Sequence, residues 1–155
     1  MQTRIVQSAE RILLTAWVGG LWAIGYLAAP VLFKVLDDRR MAGQLAGQMF
    51  KIIAIVGLVC GTVLLIAAIK RHGATWSRSW RVWTLVAMLV LVAIGFFVMI
   101  PMIQEVKAQG LVEGSEQARR FGMLHGVSSI LYLLTSVGGL ALVACGLVPR
   151  GASST

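Results

Sequence analysis

Four long stretches of the chain carry no Asp, Glu, Lys or Arg. They are Ile12 to Phe33, Ile52 to Ile69, Val82 to Gln104 and Phe121 to Pro149. At about 1.5 Å of rise per residue, a helix over each stretch is long enough to cross a hydrocarbon core of roughly 30 Å. The chain is 58% hydrophobic and 13% charged, whereas a soluble domain is about 25% charged. The sequence therefore predicts an integral membrane protein.

The predicted fold class is all-α, a four-helix bundle in the membrane. The apolar runs are continuous rather than alternating, which argues against a strand-built barrel. The connections are too short for a soluble catalytic domain, so we expect residues 1–149 to form one domain. Arg4 and Arg11 precede the first run as in a secretory signal, but the run is long and we expect it to be retained. The expected spans are about 12–33, 52–69, 82–104 and 123–146.

The C-terminal tail and the cysteines add little to a functional prediction. "LVPRG" at 147–151 resembles a thrombin recognition site, so residues 150–155 are predicted to derive from an expression vector. Cys60 and Cys145 both fall inside predicted spans, where free cysteine usually behaves as a small apolar residue. Two isolated thiols support neither a disulfide framework nor a zinc site.

The connection "KRHGATWSRSWR" predicts the orientation in the membrane. The two sides tie in Lys and Arg count, but this short connection carries four basic residues and no acid close to two membrane ends. We therefore place both termini in the cytoplasm and the protein in the plasma (inner) membrane of a bacterium. Trp76, Trp80 and Trp83 fit an interfacial aromatic belt. The connection is too short to predict nucleic-acid binding, whereas its cations can hold anionic lipid head groups.

The chain also contains traces of a repeated helix pair. A shift of 71 residues places Pro30 on Pro101 and Phe50 on Phe121. If the repeat is real, an axis along the membrane normal relates the first two helices to the last two. Each proline removes a backbone hydrogen bond and is expected to tilt or stop its helix.

Pairs of glycines mark places where helices can approach closely. Gly57 and Gly61 form a GxxxG pair in the second span, and Gly122 and Gly126 form another in the fourth. The expected role of both pairs, with Pro30 and Pro101, is packing within the bundle. Homodimerisation through such a pair is an open alternative.

The fourth span carries an unusual number of polar side chains. His125, Ser129, Tyr132, Ser136 and Gly139 recur at steps of four, three, four and three, which places them on one helical face. We expect this stripe to face the bundle and the aliphatic face to meet lipid. Similar lines, expected to face inward too, are Thr15, Gly19, Trp22 and Tyr26 in the first span and Thr84, Met88, Gly95, Met99 and Met102 in the third.

These lines predict a candidate ligand site in the outer half of the bilayer. Imidazole can ligate a metal or haem iron, and methionine sulfur suits Cu(I). The alternative is that the histidine and the hydroxyl groups form hydrogen bonds between helices or back to their own helix. The candidate residues are His125, Met99, Met102, Tyr26, Ser129 and Tyr132.

Arg119 and Arg120 lie just before the fourth span, where a helix N-terminus adds partial positive charge. They can attract an anionic ligand or a lipid head group. Pairing with nearby acidic residues, which include Glu105 and Glu116, is an equal alternative.

Four segments resemble a known family: "LWAIGYLAAPVLFKVL", "GQMFKIIAIVGLVCG", "IPMIQEVKAQG" and "FGMLHGVSSILYLL". They are similar to the bacterial four-helix membrane proteins of unknown function grouped with the eukaryotic transmembrane protein 205 family, and distantly to copper-resistance D-type membrane proteins. The resemblance implies four spans and no assigned reaction. It covers nearly the whole chain after the first ten residues. The positions it carries over, none with a catalytic role, are Pro30, Phe50, Pro101, Phe121, His125 and Gly126.

Two functions follow as hypotheses. The first is a membrane protein that holds a metal ion (copper), haem or a small ligand at an outward-facing site between its helices. The second is a structural or accessory subunit whose polar stripe serves helix packing or association with a second copy or another membrane protein. An enzyme is not expected, because no carboxylate lies near His125 in the helix to orient its imidazole.

Overall fold

The computed structural model describes residues 2–112 and 114–146, and of residues 2–4 it describes the backbone alone. The predicted vector-derived tail at 150–155 lies outside the described residues. Helices make up nearly all of this part of the chain, and no strand occurs in it. The predicted all-α fold is confirmed.

Four helices are long and apolar enough to cross a membrane, as the sequence predicts. Span 1 is Ile5–Val35, span 2 is Arg39–Arg78, span 3 is Trp80–Ala108 and span 4 is Glu116–Cys145. Their regular α-helical parts are α1 Gln2–Trp22, α2 Ala29–Val35, α3 Arg39–His72, α4 Trp80–Ile94, α5 Ile100–Ala108 and α6 Glu116–Cys145. A 3₁₀ segment, Gly73–Arg78, ends span 2.

Local sequence signals fix the ends of these helices. Asp38 caps α3 by accepting hydrogen bonds from the amides of Arg40 (2.8 Å) and Met41 (3.2 Å). Ser115 caps α6 by accepting from the amide of Ala118 at 3.1 Å. Both caps satisfy amides that have no partner within the helix. Gly73 follows α3 with φ of 51°, a conformation that side chains with a Cβ rarely adopt.

Neither proline stops its helix, because a π-helical segment precedes each one. In a regular helix the proline ring would clash with the carbonyl four residues earlier. Just before Pro30, the amide of Ala29 instead reaches five residues back to the carbonyl of Ile24. Just before Pro101, the amide of Ile100 reaches the carbonyl of Gly95 in the same way. The two π segments, Ala23–Ala28 and Gly95–Met99, therefore occur at equivalent places in the two predicted repeats.

The spans pack in a ring that follows their order in the chain. Span 2 lies between spans 1 and 3, and span 4 lies between spans 3 and 1. This order allows the two-fold axis that the repeat predicts. The core is built from all four spans: Leu14, Trp17, Val18, Leu21, Ile53, Leu64, Ala68, Val82, Leu85, Met88, Val92 and Leu142.

Trp17 is the largest side chain of this core and is completely buried. Its ring lies on the Gly57–Gly61 pair of span 2. A methyl group added at Gly57 would fall 2.6 Å from Trp17 Nε1, and one at Gly61 would fall 3.0 Å from Trp17 Cη2. These glycines therefore make room for an indole ring inside the bundle.

Two polar contacts join neighbouring helices at the end of the bundle where α1 begins and α6 ends. The buried carboxylate of Glu10 in α1 forms an ion pair with Arg71 at the end of α3. Arg81 at the start of α4 donates from Nε to the carbonyl of Gly146, just after α6, at 2.7 Å. Each contact closes one helix pair at the same end.

Candidate functional site

The Tyr132 side chain joins span 4 to span 1. Its hydroxyl donates a 2.6 Å hydrogen bond to the backbone carbonyl of Leu21, two residues before the first π segment. Carbonyls near a helix irregularity in lipid need a partner from a neighbouring helix. A side chain from span 4 therefore supports the irregular part of span 1.

Gly25 makes this contact possible. A methyl group on Gly25 would overlap the Tyr132 ring and would lie 3.0 Å from its hydroxyl oxygen. Phe50 packs edge-on against the same ring at 5.1 Å between centroids, and the Tyr26 ring lies at 6.2 Å. Trp22 packs on Tyr26 at 4.7 Å. Four aromatic rings thus form a cluster at the first π segment, to which Tyr26 itself belongs.

This arrangement occurs in only one of the two helix pairs. By the shift of 71, Tyr132 corresponds to Gly61, and Gly25 corresponds to Phe96. The position of the tyrosine is thus occupied in the other pair by a glycine, which makes room for Leu89 and Trp17. The Tyr132 contact breaks the symmetry of the fold. Because π segments are frequent at functional sites, the Tyr132 contact is the first candidate for a functional role.

Three other hydroxyl groups of span 4 are bonded to their own helix, whereas Ser128 Oγ is buried without a hydrogen-bond partner among the described residues. Ser129, Thr135 and Ser136 each donate to the carbonyl four residues earlier, at 2.8 to 2.9 Å. Such bonds satisfy the hydroxyl without any neighbour. They explain how an apolar span carries these side chains.

The prediction that His125 faces the bundle interior is wrong. His125 is exposed on the outer surface of span 4, and so is Ser129. The imidazole stacks on Phe121, with centroids 5.9 Å apart and planes 13° apart. Lys107 Nζ lies 5.5 Å from the centroid of the same phenyl ring. The C-terminal part of the predicted stripe does face inward: Ser136 and Gly139 are buried and Tyr132 is half-buried.

The inward line predicted for span 1 is also wrong, whereas that of span 3 fits better. Thr15, Gly19, Trp22 and Tyr26 are all exposed on the outer surface. In span 3, Met88 is buried, and Thr84, Gly95, Met99 and Met102 are half-buried.

The six predicted ligand-site residues therefore do not form one cluster around His125. Tyr26 and Tyr132 are in ring contact, Met99 and Met102 are half-buried in span 3, and His125 and Ser129 face outward. Within residues 2–112 and 114–146, no three His, Cys, Asp or Glu side chains are placed to share a metal ion.

The arginines and the second glycine pair also lie on the surface. Arg119 and Arg120 are exposed, and neither forms an ion pair within the described part of the chain. Gly122 and Gly126 are exposed, with no heavy atom of a neighbouring element within 4 Å of a methyl group added at either position. Packing of this pair inside the bundle is thus a wrong prediction, unlike packing at Gly57 and Gly61.

The Glu10–Arg71 ion pair was not predicted from the sequence. The first span was expected to begin at Ile12, which left Glu10 outside the membrane. The helix instead begins earlier, and the apolar Ile5 and Val6 in front of Glu10 are the signal that could have extended the span.

The chain matches the model of one protein family. The family model of DUF4149, a domain of unknown function, matches residues 12–111. The chain belongs to the DUF4149 family. The match covers most of span 1 and all of spans 2 and 3, while Tyr132 and His125 lie beyond it in span 4. No curated protein and no solved structure matches the chain, and membership of the DUF4149 family carries no assigned activity.

Proposed function

We propose that this DUF4149 protein is a structural or accessory subunit that works by binding another membrane protein. The Tyr132–Leu21 hydrogen bond is the observation that carries the proposal. The most distinctive polar group of span 4 is used to hold the bundle together. Ser129, Thr135 and Ser136 bond to carbonyls of their own helix and leave no free donor for a ligand, whereas Ser128 Oγ is buried without a partner among the described residues.

The outer half of span 4 is the surface that we propose for the partner. Gly122 and Gly126 leave this part of the helix flat, which favours close approach by a second helix. His125 stands on the same exposed surface, and polar groups on a membrane helix are usually paired with another helix. The partner that fits is a membrane helix with a donor or acceptor opposite the imidazole.

The hypothesis of a copper, haem or small-ligand site has weaker support. It requires His125 and the methionines to converge between the helices, and the imidazole faces outward while Met99 and Met102 are half-buried in span 3. An enzymatic role has the same weakness, because catalysis requires an acid, a base or a nucleophile held against the same substrate.

Photo-crosslinking in the native membrane tests the proposal. A photoreactive residue at Met123, which is 65% exposed beside the glycine pair, should give one discrete adduct with a partner membrane protein. The same residue at Val63, 51% exposed on span 2, is the matched control and should not give it. Gly126→Leu should abolish the adduct by keeping the partner helix away.

Two results would overturn the proposal. One is the same set of adducts from Met123 and Val63. The other is stoichiometric copper or haem in the purified protein that His125→Ala removes, because a ligand site would then explain the histidine.

A further inference from the structure

An open groove lies between spans 1 and 4 on the outer surface of the bundle. Its volume is about 330 Å³ and the surface of its walls is apolar. It is lined by Thr15, Val18, Gly19, Trp22, Leu140 and Val143. This groove lies toward the end of span 4 that is opposite to Gly122 and Gly126, so it is separate from the proposed partner surface.

The groove exists because Gly19 has no side chain. A methyl group added there would have no heavy atom of a neighbouring element within 4 Å, so the space is open rather than filled by span 4. Trp22, which is 38% exposed, stands one turn further along the same face. A bulky residue at position 19 would occupy the groove, and its Cβ would meet no atom of a neighbouring element.

Arg11 lies one helical turn before Thr15, the first residue of α1 that lines the groove. Residues 11, 15, 19 and 22 are spaced by four, four and three, so they share one face of α1. Arg11 is exposed and forms no ion pair with the described residues. Side chains on a helix lean toward its N-terminus, and arginine extends its head group toward water. From these general rules we expect the guanidinium to reach toward the membrane surface, on the N-terminal side of Thr15.

The charge of this end of the protein favours an anionic occupant. By sequence, and without the tail at 150–155, the end with both termini and the connection between spans 2 and 3 carries six Lys or Arg and one acidic residue. The opposite end carries seven Lys or Arg and five acidic residues. The one acid at the first end, Glu10, is already paired with Arg71.

The length and the walls of the groove suit an acyl chain. Thr15 to Trp22 spans about 10 Å along the helix axis, and the surface of the walls is apolar.

We propose that the groove and Arg11 form a binding site for one anionic phospholipid. One acyl chain lies along Gly19 between spans 1 and 4, and the phosphate group binds the Arg11 guanidinium. The site is independent of the partner surface proposed above.

Lipid titration of the full-length protein in detergent tests this site. Binding of dioleoyl phosphatidylglycerol and dioleoyl phosphatidylcholine is followed by native mass spectrometry. The unmodified protein should prefer the anionic lipid. Arg11→Gln should weaken phosphatidylglycerol binding about fivefold, the effect of one basic residue near an anionic surface. Its matched control is Lys51→Gln, an exposed cation at the other end of the bundle, which should leave binding unchanged.

Gly19→Leu tests the acyl-chain part of the site separately. It should reduce tight binding of both lipids, because the leucine fills the groove. Gly47→Leu, a change at an equally open glycine on span 2, is its control and should bind lipid normally. Elution volume and circular dichroism should show that both variants are folded.

Three outcomes would overturn the proposal. The first is equal binding of the two lipids by the unmodified protein. The second is equal loss from Arg11→Gln and Lys51→Gln. The third is that Gly19→Leu leaves lipid binding intact but breaks an association between protein chains, which would assign the groove to a partner helix.

Discussion

Glu10 and Arg81 occupy equivalent positions in the two helix pairs, 71 residues apart, and each joins the first helix of its pair to the end of the second. Glu10 does so through the Arg71 side chain, and Arg81 through the carbonyl of Gly146. The two positions carry opposite charges, so the repeat has kept the place of the contact and changed its chemistry. The second carboxylate oxygen of Glu10, Oε1, is buried without a hydrogen-bond partner among the described residues.

Glu10→Gln should destabilise the bundle by about 1 to 3 kcal/mol. Removing one member of a buried ion pair leaves the other charge without its partner, which costs up to about 5 kcal/mol when both are fully buried. The Arg71 side chain is 24% exposed, so water reduces the loss. The free energy of unfolding in mixed micelles, measured by denaturant titration, checks this.

The double variant Glu10→Gln with Arg71→Gln separates the ion pair from the packing. It should recover part of the loss, because no unpaired charge remains. If the double variant is as unstable as the sum of the two single variants, the ion pair contributes no coupling and the prediction fails.

Tyr132→Phe should destabilise the bundle by about 0.6 to 1.7 kcal/mol, the range for hydrogen bonds between membrane helices. The ring and its contact with Phe50 are kept, so the loss measures the bond to the Leu21 carbonyl. Unfolding in the same micelles gives the value.

Ser129→Ala is the control for this prediction. Its hydroxyl bonds only to its own helix and the side chain is exposed, so stability should change by less than about 0.5 kcal/mol. Equal effects of the two substitutions would show that the hydroxyl of Tyr132 has no special role.

The four spans could be predicted because length and hydropathy alone decide whether a helix crosses a bilayer. The conformation of the helices at Pro30 and Pro101 could not be predicted from the sequence. A missing amide predicts a disturbed helix, but whether the helix stops, kinks or widens depends on which nearby groups donate hydrogen bonds to the freed carbonyls. Near the π segment that precedes Pro30, the Leu21 carbonyl accepts a hydrogen bond from Tyr132, which is more than a hundred residues away in the chain.

The inward face of span 4 could be predicted only in part. The polar stripe was expected to face inward because polar groups avoid lipid, and Tyr132 and Ser136 follow that rule. Ser129 does not, because a hydroxyl bonded to its own helix loses little in lipid. His125 does not either, and its ring stacks on Phe121 of the same helix. Polarity is therefore a weak guide to burial wherever a polar side chain can form a hydrogen bond or a stacking contact within its own helix.

Gly57→Ala should destabilise the bundle by about 1 to 3 kcal/mol through overpacking. The new methyl group would meet Trp17 Nε1 at 2.6 Å, and the completely buried indole has no open space to move into. Gly126→Ala is the matched control. It introduces the same methyl group at an open position and should leave stability unchanged or slightly raised, since alanine favours helix over glycine. A similar loss from both variants would mean that helix flexibility, not the Trp17 contact, explains the glycine.

Cysteine labelling checks the predicted orientation. In a variant with Cys60→Ala and Cys145→Ala, a single cysteine at Ser77 should resist a membrane-impermeant maleimide added to intact cells, because the basic connection around it is expected in the cytoplasm. A cysteine at Gln44, exposed near the other end of span 2, should be labelled. Both should react after the cells are opened, which controls for accessibility.

Labelling of the Ser77 position alone in intact cells would reverse the orientation. The basic end with its Trp76–Trp83 pair would then face outward, and the anionic lipid proposed for Arg11 would have to come from the outer leaflet.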